Sequence, residues 1–267
     1  MIMVDDSEVK IPVHLEIPEI THHEGLLYHG AKKPFEFKSD YQFNDPTLDG
    51  SFTLGTGLYL TDMPTDAANY SEVRQHPFEK HIVYSVYAPD CRFLDFRSQS
   101  GGNVPVPKDI LLQWIDYFGK DLEREKEEKP DIPEYVEIPA VKPDSMRTNR
   151  KYNFEFMMRT NKENYFKYLK EITNRDTVDL RVMFGTGPTG KTESGYTMAD
   201  APMWSNLIRE FFVDKLGYDG IIYIEGGEGK KGKDHASFVV YNLNNVYFSK
   251  DFLPKATLDK LLNTQTY

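Results

Sequence analysis

The chain has 267 residues, of which 39% are hydrophobic and 28% are charged, a composition typical of an ordered globular protein rather than a disordered one. Asp and Glu outnumber Lys and Arg by 42 to 32, and the resulting net charge of -10 argues against extensive electrostatic binding of nucleic-acid phosphates. Cys91 is the only cysteine, which excludes an internal disulfide framework and a cysteine-rich zinc site. The sequence also predicts neither a signal peptide nor a membrane span.

Short strands separated by turns are predicted for the first hundred residues. Leu27 and His29 project from one face of the first strand and Leu26 and Tyr28 from the other, because strand side chains alternate, and Gly30 then allows the backbone to turn. Asp62 and Pro64 are typical of the start of a helix. The predicted elements are a leader over 1–25, strands over 26–29, 57–61, 81–88 and 92–96, a loop over 31–56, and a short helix from 62 to about 70.

The middle of the chain has a different character. Apolar residues from Ile110 to Leu122 recur at helical spacing, and the charged run 121–129, followed by several prolines, is expected to form an exposed linker. A second helix is predicted over 161–172, and the apolar segment 180–184 is typical of a short strand. We therefore expect residues 98–199 to form a mainly helical and irregular insertion into a β-rich core.

The core is predicted to resume near residue 200. A helix is expected to begin near Asp200 and Pro202 and to end at Gly217. A strand over 221–224, a glycine and lysine loop over 225–235, and a strand from Ser237 that continues toward Val246 complete the core, and residues 251–267 are left as a C-terminal tail.

Three blocks of the sequence stand out in order: Leu27-Tyr28-His29-Gly30, Gly55-Thr56-Gly57-Leu58-Tyr59, and Ala67-Ala68-Asn69-Tyr70. They resemble the catalytic core of the diphtheria-toxin-like ADP-ribosyltransferases, the His-Tyr-Glu class that includes the poly(ADP-ribose) polymerases. Downstream, segments 216–222 and 238–242 look like the closing helix and the last two strands of that family. The resemblance spans about 26–97 and 200–250 and implies an α+β fold, the ADP-ribosyltransferase split β-sandwich with flanking helices.

The resemblance also implies roles for individual residues. Cleavage of NAD, the co-substrate, passes through an oxocarbenium-like state, so such an enzyme must hold the nicotinamide and its ribose while charge develops. By resemblance, Tyr59 and Tyr70 would sandwich the nicotinamide, and the Gly30 backbone would bond its carboxamide. His29 would bond the adenosine ribose, and Ala67 would keep the pocket floor close.

One position departs from the family pattern. Aligning Phe238-Val239-Val240 with the last strand puts Ser237 where the family has its catalytic glutamate. A serine hydroxyl cannot supply the missing charge, which argues against polymer synthesis. Glu225 and Glu228, in the loop before the strand, are candidates to supply a carboxylate from another direction, and solvated loop charges are the alternative.

The implied function is NAD-dependent mono-ADP-ribosyl transfer, with release of nicotinamide, to a protein acceptor. Cytoplasmic action fits this reading, and so does delivery into a host cytosol as a toxin-like effector without a classical signal peptide. Two alternatives stay open: a non-catalytic module that binds NAD or a partner, and an NAD-dependent RNA 2′-phosphotransferase, which the acidic charge disfavours. The oligomeric state and the target are left undetermined.

Other motifs are weaker. Residues 185–192 satisfy the P-loop pattern, but the following residues 193–197 lack the apolar stripe of a helix that would face a phosphate. His22 and His23 are adjacent and point to different faces, and no spacing of His, Cys or carboxylates matches a metal site. The remaining histidines, His14, His76 and His81, are interpreted as ordinary surface or packing residues.

Overall fold

The structure of the protein, a computed structural model, describes residues 18–31, 54–71, 82–138, 149–186, 204–225 and 234–252. Within these ranges the chain is α+β. The strands are β1 (Glu19–Thr21), β2 (Leu26–Ala31), β3 (Leu58–Thr61), β4 (Ile82–Tyr87), β5 (Phe93–Asp95), β6 (Tyr135–Ile138), β7 (Asn149–Tyr152), β8 (Gly220–Glu225), β9 (His235–Val240) and β10 (Tyr247–Phe252). The helices are α1 (Pro64–Ser71), α2 (Lys108–Glu128), α3 (Phe154–Ile172), α4 (Leu180–Phe184) and α5 (Ser205–Glu210), which continues into a π-helical turn (Phe211–Lys215).

Eight strands form one mixed sheet in the order β1-β5-β8-β9-β3-β2-β4-β10, and β6 pairs with β7 apart from it. The pairing is antiparallel except between β5 and β8. The join between β2 and β3 is narrow, since Tyr28 opposite Thr61 is its single register pair among the described residues. The sheet therefore has a five-strand part and a three-strand part that meet at this join.

Hydrophobic clusters cover both faces of the sheet. Leu27, Leu60 and Phe238 belong to a cluster on one face. Ile221 and Val239 belong to a larger cluster on the other face, which also contains apolar residues of α2, α3, α4 and α5. The helices between residues 108 and 184 thus share a core with the sheet.

Helix α1 lies over the narrow join. Its buried Ala67 and Ala68 pack against Val83 of β4 and Tyr28 of β2. Small side chains allow this close approach, and the helix thereby carries its exposed residues to the edge of the sheet face described below.

The structure confirms the strands predicted around Leu27, Tyr59, Val83, Leu94, Ile222 and Phe238, the short helix after Asp62, and the helix end at Gly217, whose φ is 73°. The charged run 121–129 was predicted to form an exposed linker, but α2 continues through it to Glu128. Part of the run is solvated, whereas Asp121 and Glu125 are partly buried and pair with Lys162 of α3. Helix α3 begins at Phe154, seven residues before the predicted start, where the Asn153 side chain accepts from the Glu155 N–H.

Three further predictions were wrong. Leu180–Phe184 is a helix rather than a strand, capped by the Asp179 side chain at its start and by left-handed Gly185 at its end. The chain does not turn at Gly30, because β2 continues to Ala31 along β4. The strand from Ser237 ends at Val240, and a separate strand, β10, then pairs with β4. The sequence also missed β1, β6 and β7.

Candidate functional site

One face of the central strands collects most of the candidate residues. On β3, Tyr59 lies opposite Val239 and Thr61 lies opposite Ser237. Ser237 also lies opposite Tyr223 of β8. Because opposed residues project to the same face, Tyr59, Ser237 and Tyr223 share one face of the sheet. Glu225 and His235 are opposite each other two residues further along and extend this row.

A carboxylate lies at the end of the row. The Ser237 hydroxyl donates to Glu225 Oε2 at 2.9 Å, and the Tyr223 hydroxyl donates to the same oxygen at 3.2 Å. Arg181 Nη2, from α4, is 3.4 Å from Oε1. The Glu225 side chain is 24% exposed. The structure thus brings Glu225 to Ser237, the position where the sequence lacks its expected glutamate, whereas Glu228 falls outside the described residues.

A histidine connects this carboxylate to α1. His235 is only 8% exposed, and its Nε2 lies 3.4 Å from the Tyr70 hydroxyl and 4.0 Å from Glu225 Oε2. Its Nδ1 lies 3.9 Å from Asp66 Oδ2. Burial raises the pKa of Asp66, and the neighbouring His235 opposes that shift. The imidazole therefore sits between two carboxylates that belong to different elements.

Four members of this cluster, Asp66, Arg181, Tyr223 and His235, were not predicted from the sequence to belong to a site. A signal for His235 was present, because strand alternation places it two residues before Ser237 on the same face. Arg181 had no such signal, since its segment was interpreted as a strand.

His29 lies opposite Tyr84 of β4, on the face of β2 that carries Leu27, and its side chain reaches the β3 backbone where β2 and β3 separate. Its Nδ1 is 2.9 Å from the Tyr59 carbonyl oxygen. A carbonyl only accepts, so Nδ1 carries the proton. Burial lowers the pKa of His29, although the bond to the Tyr59 carbonyl opposes the shift. The neutral ring then has Nε2 as an acceptor, a form suited to a ligand hydroxyl.

The two candidate stacking tyrosines differ in exposure. The Tyr59 hydroxyl donates to the Gly55 carbonyl and accepts from the Leu54 N–H, each at 2.9 Å, so its ring is fixed against the core. Tyr70 is 52% exposed on α1. Burial raises the pKa of both phenols, and for Tyr70 the Glu225 charge adds to the effect. Both side chains are neutral, with aromatic faces of different accessibility.

Packing explains the glycines of the second block. Gly55 has a φ of 97°, and a Cβ there would lie 2.7 Å from Ile208 Cγ2 of α5. A Cβ on Gly57 would lie 2.8 Å from the Val240 carbonyl oxygen. The Gly-x-Gly spacing therefore lets β3 approach α5 and β9, which fixes Tyr59. Gly30 lies within β2 opposite Val83, and Ala67 is buried beneath α1.

The P-loop interpretation does not fit the described part of its segment. Gly185 and Thr186 end α4, with N–H groups bonded to the carbonyls of Val182 and Arg181. A helix C-terminus presents carbonyls and a negative dipole end, the opposite of what a phosphate requires. Residues 187–192 lie outside the described residues.

Among the described residues, no group of three or more His, Cys, Asp or Glu side chains is arranged to hold a metal ion. No helix in those ranges has the length and apolar character needed to cross a membrane. Comparisons with protein-family models, curated proteins and solved structures gave no significant match.

Proposed function

We propose that the protein is an NAD-dependent mono-ADP-ribosyltransferase that modifies a protein and releases nicotinamide. The observation that carries the proposal is the hydrogen bond from Ser237 to Glu225. It supplies a carboxylate from the neighbouring strand at the position where the family resemblance requires one. In this proposal Glu225 replaces the glutamate, and Ser237 is a positioning residue.

The residues present fit NAD as a substrate. The neutral His29 ring offers an acceptor for a ribose hydroxyl, and the half-exposed Tyr70 ring offers a face for stacking. Gly30 and Tyr59 flank the place where the two parts of the sheet separate. A sheet of two parts is also compatible with the split β-sandwich that we propose as the fold.

The chemistry follows from the charges at the site. As the bond to nicotinamide breaks, positive charge develops on the ribose, and a fixed carboxylate nearby stabilises that charge. Glu225 supplies the negative charge, while the Ser237 and Tyr223 hydroxyls hold its orientation. Nicotinamide leaves as a neutral molecule, so its departure requires no acid.

The same charges argue against the RNA alternative. Asp66 and Glu225 both flank His235, and a phosphorylated RNA would bring further negative charge to this cluster. A neutral acceptor group on a protein carries no such penalty.

The test compares wild type with Tyr70→Ala, using Tyr247→Ala as a matched control because Tyr247 is likewise exposed, at 60%, but lies on β10. NAD affinity is measured by calorimetry and nicotinamide release by chromatography, after thermal melts show that all three proteins are folded. Loss of one stacking face should weaken NAD binding about 5- to 100-fold. Tyr247→Ala should behave as wild type.

Absence of NAD binding by folded wild type would overturn the proposal. Binding without release, in the presence or absence of cell lysate, would instead make the protein a non-catalytic NAD-binding module.

A further inference from the structure

We infer that His235, paired with Asp66, is a general base that takes the proton of the acceptor, and that the acceptor is a hydroxyl group. This inference rests on the proposed function, to which it adds a catalytic residue and an acceptor class.

The position of His235 favours this role. Its Nε2 faces Tyr70 and Glu225, the residues proposed to hold the nicotinamide and the reacting ribose, at 3.4 and 4.0 Å. Its Nδ1 faces Asp66 on the opposite side of the ring. A carboxylate behind an imidazole orients the ring and stabilises the cation formed when the front nitrogen accepts a proton.

Charged and titratable groups approach the imidazole from every element around it. Asp66 and Tyr70 come from α1, and Tyr223 and Glu225 come from β8. Arg181 of α4 pairs with Glu225. The two carboxylates stabilise an imidazolium, and the Arg181 guanidinium is directed at one of them.

The reaction balances with one proton transfer. The acceptor O–H gives its proton to His235 Nε2 while its oxygen forms a bond to C1′ of the nicotinamide ribose. The bond from C1′ to the nicotinamide nitrogen breaks, and its electron pair leaves with the neutral nicotinamide. The imidazolium then returns the proton to water.

This balance points to the class of acceptor. A carboxylate acceptor is already ionised at neutral pH and needs no base, whereas a hydroxyl must lose its proton. A cationic ammonium or guanidinium has no free lone pair and would have to lose its proton before it could attack, whereas a hydroxyl oxygen can attack while its proton is transferred. A hydroxyl is therefore the acceptor that suits a base beside the reacting ribose.

The test uses methanol as the acceptor probe. Wild type, His235→Gln and Asp66→Asn are incubated with NAD and methanol between pH 5 and 9, with His22→Gln, an exposed position, as the matched control. Methyl ADP-ribose and nicotinamide are quantified by chromatography, and NAD affinity is measured separately.

In wild type, methyl ADP-ribose formation should rise with pH and then level off, as expected when a base must be deprotonated to act. His235→Gln should lower the rate about 100-fold or more and abolish the rise, with NAD affinity unchanged. Asp66→Asn should move the rise to lower pH, because the imidazolium loses a stabilising charge, and His22→Gln should match wild type.

Each other result has a defined meaning. A folded His235→Gln that keeps the rate or the pH dependence overturns the base while leaving the proposed function intact. If His235→Gln does not fold, an unchanged pH profile in Asp66→Asn overturns the assignment of His235 as the base. Acetate transfer in place of methanol transfer overturns the hydroxyl acceptor. Folded wild type that releases no nicotinamide overturns both the inference and the proposed function.

Discussion

The molecule contains two partly buried charge clusters of similar size but different composition. The sheet cluster consists of Asp66, Arg181, Glu225 and His235. The helix cluster, between α2 and α3, consists of Asp121, Glu125, Arg159 and Lys162. The two clusters do not differ in exposure, since the Glu225 side chain is 24% exposed and the Glu125 side chain is 26% exposed.

The two clusters differ in the groups that contact their carboxylates. Lys162 lies 3.1 Å from Asp121 and 2.6 Å from Glu125, while Arg124 also pairs with Asp121 and Arg159 with Glu125, so each carboxylate has two cationic partners. Burial alone would lower the pKa of Lys162, but hydrogen bonds to Glu125 and Asp121 outweigh it and raise that pKa. In the sheet cluster, the groups that approach Glu225 among the described residues include the Ser237 and Tyr223 hydroxyls and the His235 imidazole, beside the Arg181 guanidinium. We propose that the helix cluster links α2 to α3 and that the sheet cluster is the reactive site.

The largest expected effect is a loss of activity when the sheet cluster, but not the helix cluster, loses a carboxylate. Glu225→Gln keeps the shape and removes the charge, so nicotinamide release should fall on the order of 100- to 1000-fold. Glu125→Gln makes the same change in the helix cluster and should leave release unchanged. Both rates are measured at saturating NAD on proteins that melt cooperatively. Equal losses of activity in the two variants would remove the distinction.

A smaller effect should appear in stability. Lys162→Met leaves Asp121 and Glu125 without their shared ammonium, which is 16% exposed. We expect unfolding to become easier by about 1–3 kcal/mol, less than for a fully buried pair because part of the cluster is solvated. Urea denaturation measures the change. A stability within about 0.5 kcal/mol of wild type would show that the helix cluster does not fasten α2 to α3.

The smallest expected effect concerns the join between the two parts of the sheet. Burial lowers the pKa of His29 in the folded state below the value of about 6.5 expected in the unfolded chain. The unfolded state therefore binds more protons, so this stabilising contribution is present above pH 6.5 and is lost as the pH falls through the folded-state pKa. One such group contributes a slope of at most about 1.4 kcal/mol per pH unit. Denaturation of wild type and His29→Gln from pH 7 downward should show a shallower loss in the variant, and parallel curves would contradict this.

Local patterns were sufficient to predict the elements that carry the candidate NAD-binding residues. Strands β2 and β3 were predicted from the sequence, and Asp62 with Pro64 predicted the start of α1, because such signals depend on neighbouring residues. The sequence also identified Glu225 as a candidate carboxylate, but the bond to Ser237 depends on strand register, which composition does not determine.

The remaining differences between the predicted and the observed elements have physical causes. The five residues Leu180–Phe184 form a short apolar segment that suits a strand as well as a helix, and only the caps at Asp179 and Gly185 reveal a helix, so Arg181 was not expected near the site. Strand β7 reads Asn-Arg-Lys-Tyr, which has neither apolar alternation nor a β-rich composition. Its pairing with β6 is a nonlocal feature.

A crystal structure of Glu225→Gln with intact NAD tests the central claim most directly, because the variant should bind NAD without cleaving it. We expect the nicotinamide to lie against Tyr59 and Tyr70, with a hydroxyl of its ribose within hydrogen-bonding distance of residue 225. NAD bound elsewhere, or bound on this face with its nicotinamide ribose directed away from residue 225, would contradict the assignment of the sheet cluster as the reactive site.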